Sequence, residues 1–451
     1  MKHSRITRRA FAKSALTAAA PLILPARAWG NDATPPPSER INVGIIGLGG
    51  LGMGHVGRFL QAKGAQVVAV CDVHALHYRD AEWGKRSPCG RDAAKAVVED
   101  FYGAQMRDGT YKGCDAYSDY RELCARADID AAVIATPDHW HALITLAALR
   151  NGKDVYCEKP VTHTFREGQI IVAEVAARKA IFQVGSQQRS YAGFRHCVEL
   201  VQNGHIGKVV RVEVGLPPGH REPQGDPTET APPEGLDYDL WCGPSEKLPY
   251  MRARHHRWWR WHRAYGGGQI MDWIGHHNDI AHWGLGVERG GPVEVEASGT
   301  WTWPNFAGYN TPVDYEIQCR YAGGVTSSIS SRHQGGAKWI GEAGWIWANR
   351  GEEQGTDKAW FAPGFDPGPI KAYDSRDHVE NFLEGIRTRK ECIAPAEIGH
   401  RSITPGHLGY VSQTLGRKLN WDPEKETVVG DEEADKLLKA VDYRVPWVLE
   451  G

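Results

Sequence analysis

Three glycines and a carboxylate carry the first chemical signal in the chain. Gly47-Leu48-Gly49-Gly50-Leu51-Gly52 is a G-x-G-x-x-G run that directly follows the apolar stretch INVGII and precedes a helix-compatible stretch from Met53 to Lys63. In that setting Gly47 permits a tight turn, Gly49 lets backbone N–H groups approach a pyrophosphate, and Gly52 allows a helix to pack closely on a strand. Gly50 and Leu51 complete the turn at the helix N-terminus that faces the phosphates. Asp72 ends the next apolar run and stands where a carboxylate accepts hydrogen bonds from an adenosine ribose. A 2'-phosphate beside Asp72 would meet charge repulsion unless Arg79, the nearest cation downstream, intervened. The pattern therefore expects NAD rather than NADP.

Further along, Glu158-Lys159-Pro160 follows the apolar run Asp154 to Cys157 and falls at the carboxyl edge of a parallel sheet, where open α/β folds bind ligands. Lys159 there can face the nicotinamide end, with Glu158 beside it. Thr136-Pro137-Asp138-His139-Trp140-His141 ends another run and reads as bordering the cofactor through Thr136, Pro137, His139 and His141. Gly185-Ser186-Gln187-Gln188-Arg189 reads as entering the substrate side through Gln188 and Arg189. Both segments read equally well as capped turns. The run RHHRWWRWHR, Arg254 to Arg263, interleaves bases with aromatics, a composition that can stack nucleic acid. However, 53 Lys plus Arg against 55 Asp plus Glu leave a net charge of -2 and no field to attract a polyanion. A lid or substrate wall lined by Trp258, Trp259 and Trp261 is the better expectation, with plain packing as its competitor.

The elements that must hold these residues follow from periodicity. Apolar runs at 41–46, 67–72, 131–136 and 154–157 alternate with helix-like stretches, which implies βαβ units and a parallel sheet buried on both faces. Beyond Pro160, a helical segment at 165–179 and alternating runs at 209–214, 293–303, 315–321 and 325–329 suggest a mostly antiparallel sheet with helices on one side. The expected fold class is α/β: an N-terminal Rossmann doubly wound parallel sheet over residues 41–160, then an α+β domain with a large open sheet over 161–451. The stretch 78–115 reads as an insertion with its own helix at 91–102. With 451 residues, 41% of them apolar, the chain is long enough for two cores.

The combination of G-x-G-x-x-G, then E-K-P, then G-G-G-x-x-x-D-x-x-x-H resembles the Gfo/Idh/MocA oxidoreductase family over about residues 41 to 420. That resemblance implies that Lys159, Asp272 and His276 line the active site, with His277 beside them on the substrate side. Asp272 and His276 are four apart and share one face of a helix introduced by Gly266 to Gly268. The implied activity is hydride transfer between a hydroxyl of a sugar or polyol and NAD, with His276 taking the hydroxyl proton, Lys159 bonding the developing alkoxide and Asp272 orienting substrate or base. The same residues also suit a glycoside hydrolase that oxidises C3 transiently, eliminates the aglycone and reverses the oxidation. A redox-silent binding protein is the third reading, and the intact glycines, Lys159 and His276 speak against it. The resemblance further implies a homo-oligomer built through the open sheet.

The first 28 residues have a basic start, an apolar middle from Phe11 to Leu24 and the small-residue end Ala26-Arg27-Ala28, which is signal-peptide architecture. Within them, Thr7-Arg8-Arg9-Ala10-Phe11-Ala12-Lys13 resembles a twin-arginine signal, read by the Tat translocase as a partner during folded export. The apolar stretch is too short for a membrane anchor, which needs roughly 20 residues. Residues 29–40 read as a proline-rich linker. A periplasmic or secreted location follows, with NAD carried out tightly bound. Nine scattered cysteines without zinc spacing are expected to be free, buried thiols, and no metal is expected.

Overall fold

A computed structural model describes residues 39–449 apart from 81–85, 107 and 298–300. The signal-peptide and linker readings therefore lie outside the described residues, save for Glu39 and Arg40. From Ile41 onward the chain begins with β1 (Ile41–Ile46), α1 (Gly50–Gln61) and β2 (Ala65–Cys71). A small hairpin, β3 (His77–Tyr78) with β4 (Pro88–Cys89), leads to α2 (Arg91–Gly103), so the insertion carries the helix expected of it. Then follow β5 (Asp115–Tyr117), α3 (Tyr120–Cys124), β6 (Ala131–Ile134), α4 (Asp138–Arg150), β7 (Asp154–Cys157), α5 (Phe165–Arg178) and β8 (Phe182–Val184).

These strands form one six-stranded parallel sheet in the order β5-β2-β1-β6-β7-β8. This is the doubly wound order, and its direction reverses between β1 and β6, where a crevice opens at the carboxyl edge. The strands carry near-continuous apolar runs because helices cover both faces; Val43, Ala131, Val133 and Val155 are fully buried. Fully burying such an aliphatic side chain contributes about 1.5–3 kcal/mol. A domain boundary at residue 160 falls short of this sheet. Its sixth strand, β8, comes from beyond Pro160.

The second half contains α6 (Ala192–Gln202), β9 (Val209–Gly215), α7 (Tyr238–Cys242), α8 (Gly268–Leu285), β10 (Glu294–Ala297), β11 (Glu316–Arg320), β12 (Thr326–Ser330), β13 (Gly336–Gly341), β14 (Trp345–Asn349), β15 (Glu352–Gly355), α9 (His378–Thr388), α10 (Ala396–Leu415), β16 (Leu419–Asp422), β17 (Thr427–Val428) and α11 (Glu432–Lys439). Nine strands order as β15-β14-β13-β9-β12-β11-β10-β16-β17, antiparallel except for the β9–β12 pair. Helix α8 lies on this sheet through Trp339, which donates to Ala281 O at 3.2 Å and presses on Gly284, where a Cβ would stand 2.5 Å from the indole. In the region read as one strand, 293–303, the described strand is only Glu294–Ala297. Strands β13 and β14 were not read from the sequence, and β15 (EEQG) is a polar edge strand with one neighbour. All nine cysteines are free and buried, as expected. Among the described residues no helix is long and apolar enough to cross a membrane.

Helix capping separates two kinds of helix. Helix α5 starts with a capping box, Thr164 with Glu167, while Asp119, Asp237, Asp377 and Asp431 cap α3, α7, α9 and α11. Helices α1, α4 and α8 have no side-chain cap, and their first residues follow Gly49, Pro137 and Gly267. Their first N–H groups are thus left for other partners.

Candidate active site

The glycine turn is built as the spacing requires. Gly47 sits at φ +87, in the left-handed region, and a Cβ there would stand 2.5 Å from Thr136 N. At Gly52 a Cβ would stand 1.8 Å from Gly47 O, so only glycine lets α1 close on the turn. A Cβ at Gly49 would meet nothing within 4 Å. Its backbone faces open space at the uncapped start of α1, which is the cradle a pyrophosphate fits. Asp72 Oδ2 accepts Leu48 N–H at 2.6 Å and Oδ1 accepts His74 N–H at 2.8 Å, which orients the carboxylate at the end of β2. Burial raises its pKa, opposed by those two bonds and by Arg91, whose guanidinium donates to Asp72 O at 3.0 Å. Arg79 does not stand beside Asp72 alone; its guanidinium lies against Gly50, 2.6 Å from where a Cβ would be.

Gly47, Gly49, Gly50, Leu51, Asp72, Thr136, Pro137, His141, Glu158, Lys159 and Trp259 all line one cleft along the carboxyl edge of the parallel sheet. Glu158 is fixed there by His55 Nε2 at 2.8 Å and by Gln187 Nε2, also at 2.8 Å. Burial would raise its pKa, but His55, Lys159 and Gln187 bring it below the usual value. The His141 ring bridges the loops, 2.7 Å from Pro160 O and 2.9 Å from Thr136 O.

At the far end of the cleft four titratable groups meet. Lys159 Nζ donates to Asp272 Oδ1 at 2.6 Å and to Asp272 O at 3.1 Å, while Arg260 Nε lies 2.9 Å from the same Oδ1. Against the pull of burial, Arg260 and Lys159 hold the Asp272 carboxyl well below the usual carboxylate range. Asp138, the first residue of α4, is buried and bonded to the Gly267 backbone. Burial and the neighbouring Asp272 charge push its carboxyl up to about 8, despite Arg260 and Lys159. Two carboxyl groups of one cluster are thus driven apart in proton affinity. His276 lies one helical turn beyond Asp272 on α8, buried, with Nδ1 lacking a hydrogen-bond partner. Burial and the Lys159 cation hold this imidazole neutral. Lys159 packs on the same helix at Gly275, where a Cβ would stand 3.5 Å from Lys159 Cβ, and Ser186 Oγ donates to Gly275 O at 3.0 Å. Lys159 and His276 thus flank the same stretch of α8, Lys159 on the cleft and His276 buried behind it.

Of the residues expected at the cofactor or substrate, Gly52, His139, Gln188, Arg189, Trp258, Trp261, Asp272, His276 and His277 are not among those lining the cleft. The His139 ring is shut between Trp241 O at 2.9 Å and Tyr265 O at 3.2 Å, and burial lowers its pKa to about 4. Arg189 is fully buried in an ion pair with Asp279, at 2.7 and 2.8 Å, and with Glu288 at 2.8 Å; it holds α8 rather than substrate. Gln188 donates to His276 O at 3.0 Å and accepts Arg350 Nε at 3.0 Å, so it positions the histidine backbone. His277 points to the sheet, bonded to the backbone of Gly215 and Gly336. Trp258 turns away to donate to Asp80 Oδ2 at 3.1 Å and pack with Trp261 and Tyr309. In each case burial of a polar or aromatic residue near the site, indistinguishable from a site role in sequence, decides the position. Asp138, Arg260, His55 and Gln187 went unassigned. Asp138 and Arg260 lie within the segments TPDHWH and RHHRWWRWHR, but only the fold turns them to the cleft.

A parallel sheet in doubly wound order, a glycine cradle at its switch point and a carboxylate after β2 define a dinucleotide-binding α/β protein. The chain belongs to the Gfo/Idh/MocA oxidoreductase family: residues 41–186 match its NAD-binding Rossmann domain and residues 194–449 its C-terminal α/β domain. It is 30% identical over 174 residues to an inositol 2-dehydrogenase of Salmonella typhimurium, an alignment covering 38% of this chain and 44% of that protein. The chain thus spans less than half the length of the curated relatives it matches. Among solved structures, myo-inositol dehydrogenase from Lactobacillus casei with NAD(H) and myo-inositol superposes at TM-score 0.55 and 18% identity, covering 88% of this chain and 99% of that one. Aldose-aldose oxidoreductase from Caulobacter crescentus with glycerol gives TM-score 0.57 and 19% identity over 84% and 99%. At these identities the likeness establishes the fold.

Proposed function

We propose that the protein is an NAD-dependent oxidoreductase that moves hydride between a hydroxyl-bearing carbon of a sugar or polyol and the nicotinamide. One observation carries this reading: Lys159, Arg260 and Asp138 line the cleft that begins at the glycine turn and cluster there with Asp272, which holds Lys159 and Arg260 from α8. Gly47, Gly49, Gly50, Leu51 and Asp72 would hold the pyrophosphate and ribose, and the bound nicotinamide supplies the hydride-accepting ring.

The remaining chemistry belongs to the chain. Lys159, fixed by Asp272, donates to the substrate oxygen as charge grows on it. His276, held neutral, accepts the hydroxyl proton. Asp138 holds a proton at neutral pH beside this pair and can release or take one as the substrate oxygen changes charge. Trp259 offers an apolar face to the cleft with Arg260 over it at 4.5 Å, a surface suited to a hydroxylated ring. We further propose Tat-dependent export through residues 1–28, a periplasmic or secreted location, tightly held NAD and a homo-oligomer formed through the nine-stranded sheet.

The test is to purify the mature chain, release and identify bound nucleotide, and assay a panel of sugars, inositols and aryl glycosides for both NADH formation and aglycone release. Net NADH formation with a sugar or polyol is expected. Aglycone release without net redox change would instead place the protein with glycosidases that oxidise transiently. No turnover with nucleotide bound would sink the enzyme reading.

A further inference from the structure

Three histidines from distant parts of the chain meet at the wall of the cleft. His74 follows β2, His77 lies in β3, and His256 belongs to the tryptophan-rich segment some 180 positions later. Their rings stack nearly parallel, with centroids 3.9 Å apart for His77 and His256, 5.0 Å for His74 and His77 and 5.6 Å for His74 and His256. One nitrogen from each lies within 4.8 Å of the others.

Several features of this cluster lack an explanation in packing. Nδ1 of His74 and Nδ1 of His77 are buried without hydrogen-bond partners, although buried polar atoms are normally satisfied. The His74 ring also bonds the backbone of Glu234, which leaves its Nδ1 as the unused atom. A carbonyl on one ring nitrogen is what fixes a metal-ligating imidazole in the required tautomer. His256 sits at φ +47, a left-handed conformation uncommon for a residue with a Cβ, and that conformation brings its ring onto His77.

We propose that His74, His77 and His256 form a binding site for a zinc-class transition metal ion in the wall of the cleft. Three imidazoles without carboxylate or thiolate select zinc, copper, nickel or cobalt over calcium or magnesium, which require oxygen donors. A tetrahedral ion with bonds of about 2.0–2.1 Å brings donor nitrogens to about 3.4 Å, so binding would turn the stacked rings to aim their lone pairs at one point. Three protein ligands leave the fourth position for water or for a ligand in the cleft. Asp72 and Asp80 in the same loop offset part of the ion's charge, although Asp80 also pairs with Arg252. The ion would tie the loop after β2 to the segment 252–261. The site went unseen in sequence because its ligands fit no short spacing.

The experiment uses the full folded chain, stripped with chelator and free of added nucleotide, so its outcome is independent of the redox assay. Cobalt(II) is titrated while visible absorption and bound metal are measured, and zinc is then added. The expected result is one cobalt per chain with the intense absorption of a four-coordinate, nitrogen-ligated ion, displaced by zinc. His77→Ala and His256→Gln should weaken binding by more than the about 10–100-fold that outer-shell changes cost. His255→Ala, a change at a buried neighbour outside the triad, should retain the spectrum. Absence of stoichiometric cobalt in the wild-type chain overturns the proposal, and so does binding that survives His77→Ala and His256→Gln combined in one chain. Circular dichroism of each variant separates lost ligands from lost fold.

Discussion

Lys159 and Asp272 join the two halves of the protein at their chemical centre: the ammonium at the end of β7 donates to both the carboxylate and the main-chain oxygen of one residue in the first turns of α8. Side-chain exposures of 9% and 13% leave the pair within reach of a ligand yet largely shielded from water. A cation so held cannot wander, and its orientation is set before substrate arrives.

Replacing Lys159 by Met should therefore lower kcat by about a hundred- to ten-thousand-fold while NAD binding stays near wild type. Steady-state kinetics with a nucleotide titration check this. Equal loss of turnover and nucleotide affinity would mean that the lysine holds the cofactor and not the reacting oxygen.

Gly49 and Gly52 should part company. Gly49→Ala meets no protein atom, so thermal stability should stay within about 0.5 kcal/mol of wild type while the Kd for NAD rises at least about tenfold. Gly52→Ala collides with Gly47 O and should destabilise the fold by about 1–3 kcal/mol or more. Calorimetry with and without nucleotide distinguishes the two.

Arg189 should prove structural. Arg189→Met strands the buried Asp279 carboxylate and should cost about 3–5 kcal/mol of stability, with the KM for sugar unchanged in the folded fraction. A raised KM at unaltered melting temperature would restore it to the substrate site.

Asp138 should set an alkaline limit. Its folded pKa of about 8 lies above the ordinary value of 3.8, so the stability it contributes is complete below pH 3.8 and is lost as pH rises through 8. Activity should decline with an apparent pKa near 8. In Asp138→Asn, whose amide can still accept from Gly267, that limb should vanish, and stability relative to wild type should improve from pH 4 to 8.

Acid should unfold the protein early. Burial lowers His139, His277 and His378 to about 4 and His163, His282 and His407 to about 3, from 6.5. A depressed histidine contributes stability present above pH 6.5 and lost as pH falls toward its folded value. Each adds about 1.4 kcal/mol per pH unit to the slope below 6.5. Urea midpoints from pH 7 to 4 should fall steeply; a flat profile would contradict the burial of these rings.

The glycine turn and Asp72 were legible in sequence because they depend on local spacing along one strand-to-helix junction, whereas Lys159, Asp272 and His276 were singled out by the family resemblance. The parallel sheet and the second, mostly antiparallel sheet followed from apolar runs. What could not be read were roles decided by long-range burial. Arg189 and Asp138 are both polar residues beside a strand end, yet one closes an ion pair under α8 and the other opens onto the cleft. The edge strand β15 was lost for a related reason, since one-sided pairing leaves little pattern.

Nine thiols with no partner among them constrain how this chain can be made. Air oxidation of the denatured polypeptide would trap wrong cross-links that the native interior has no room for. Preparations should thus mature under reductant, and the finished protein, its sulfurs sealed away, should then tolerate oxidants that a half-folded one would not survive.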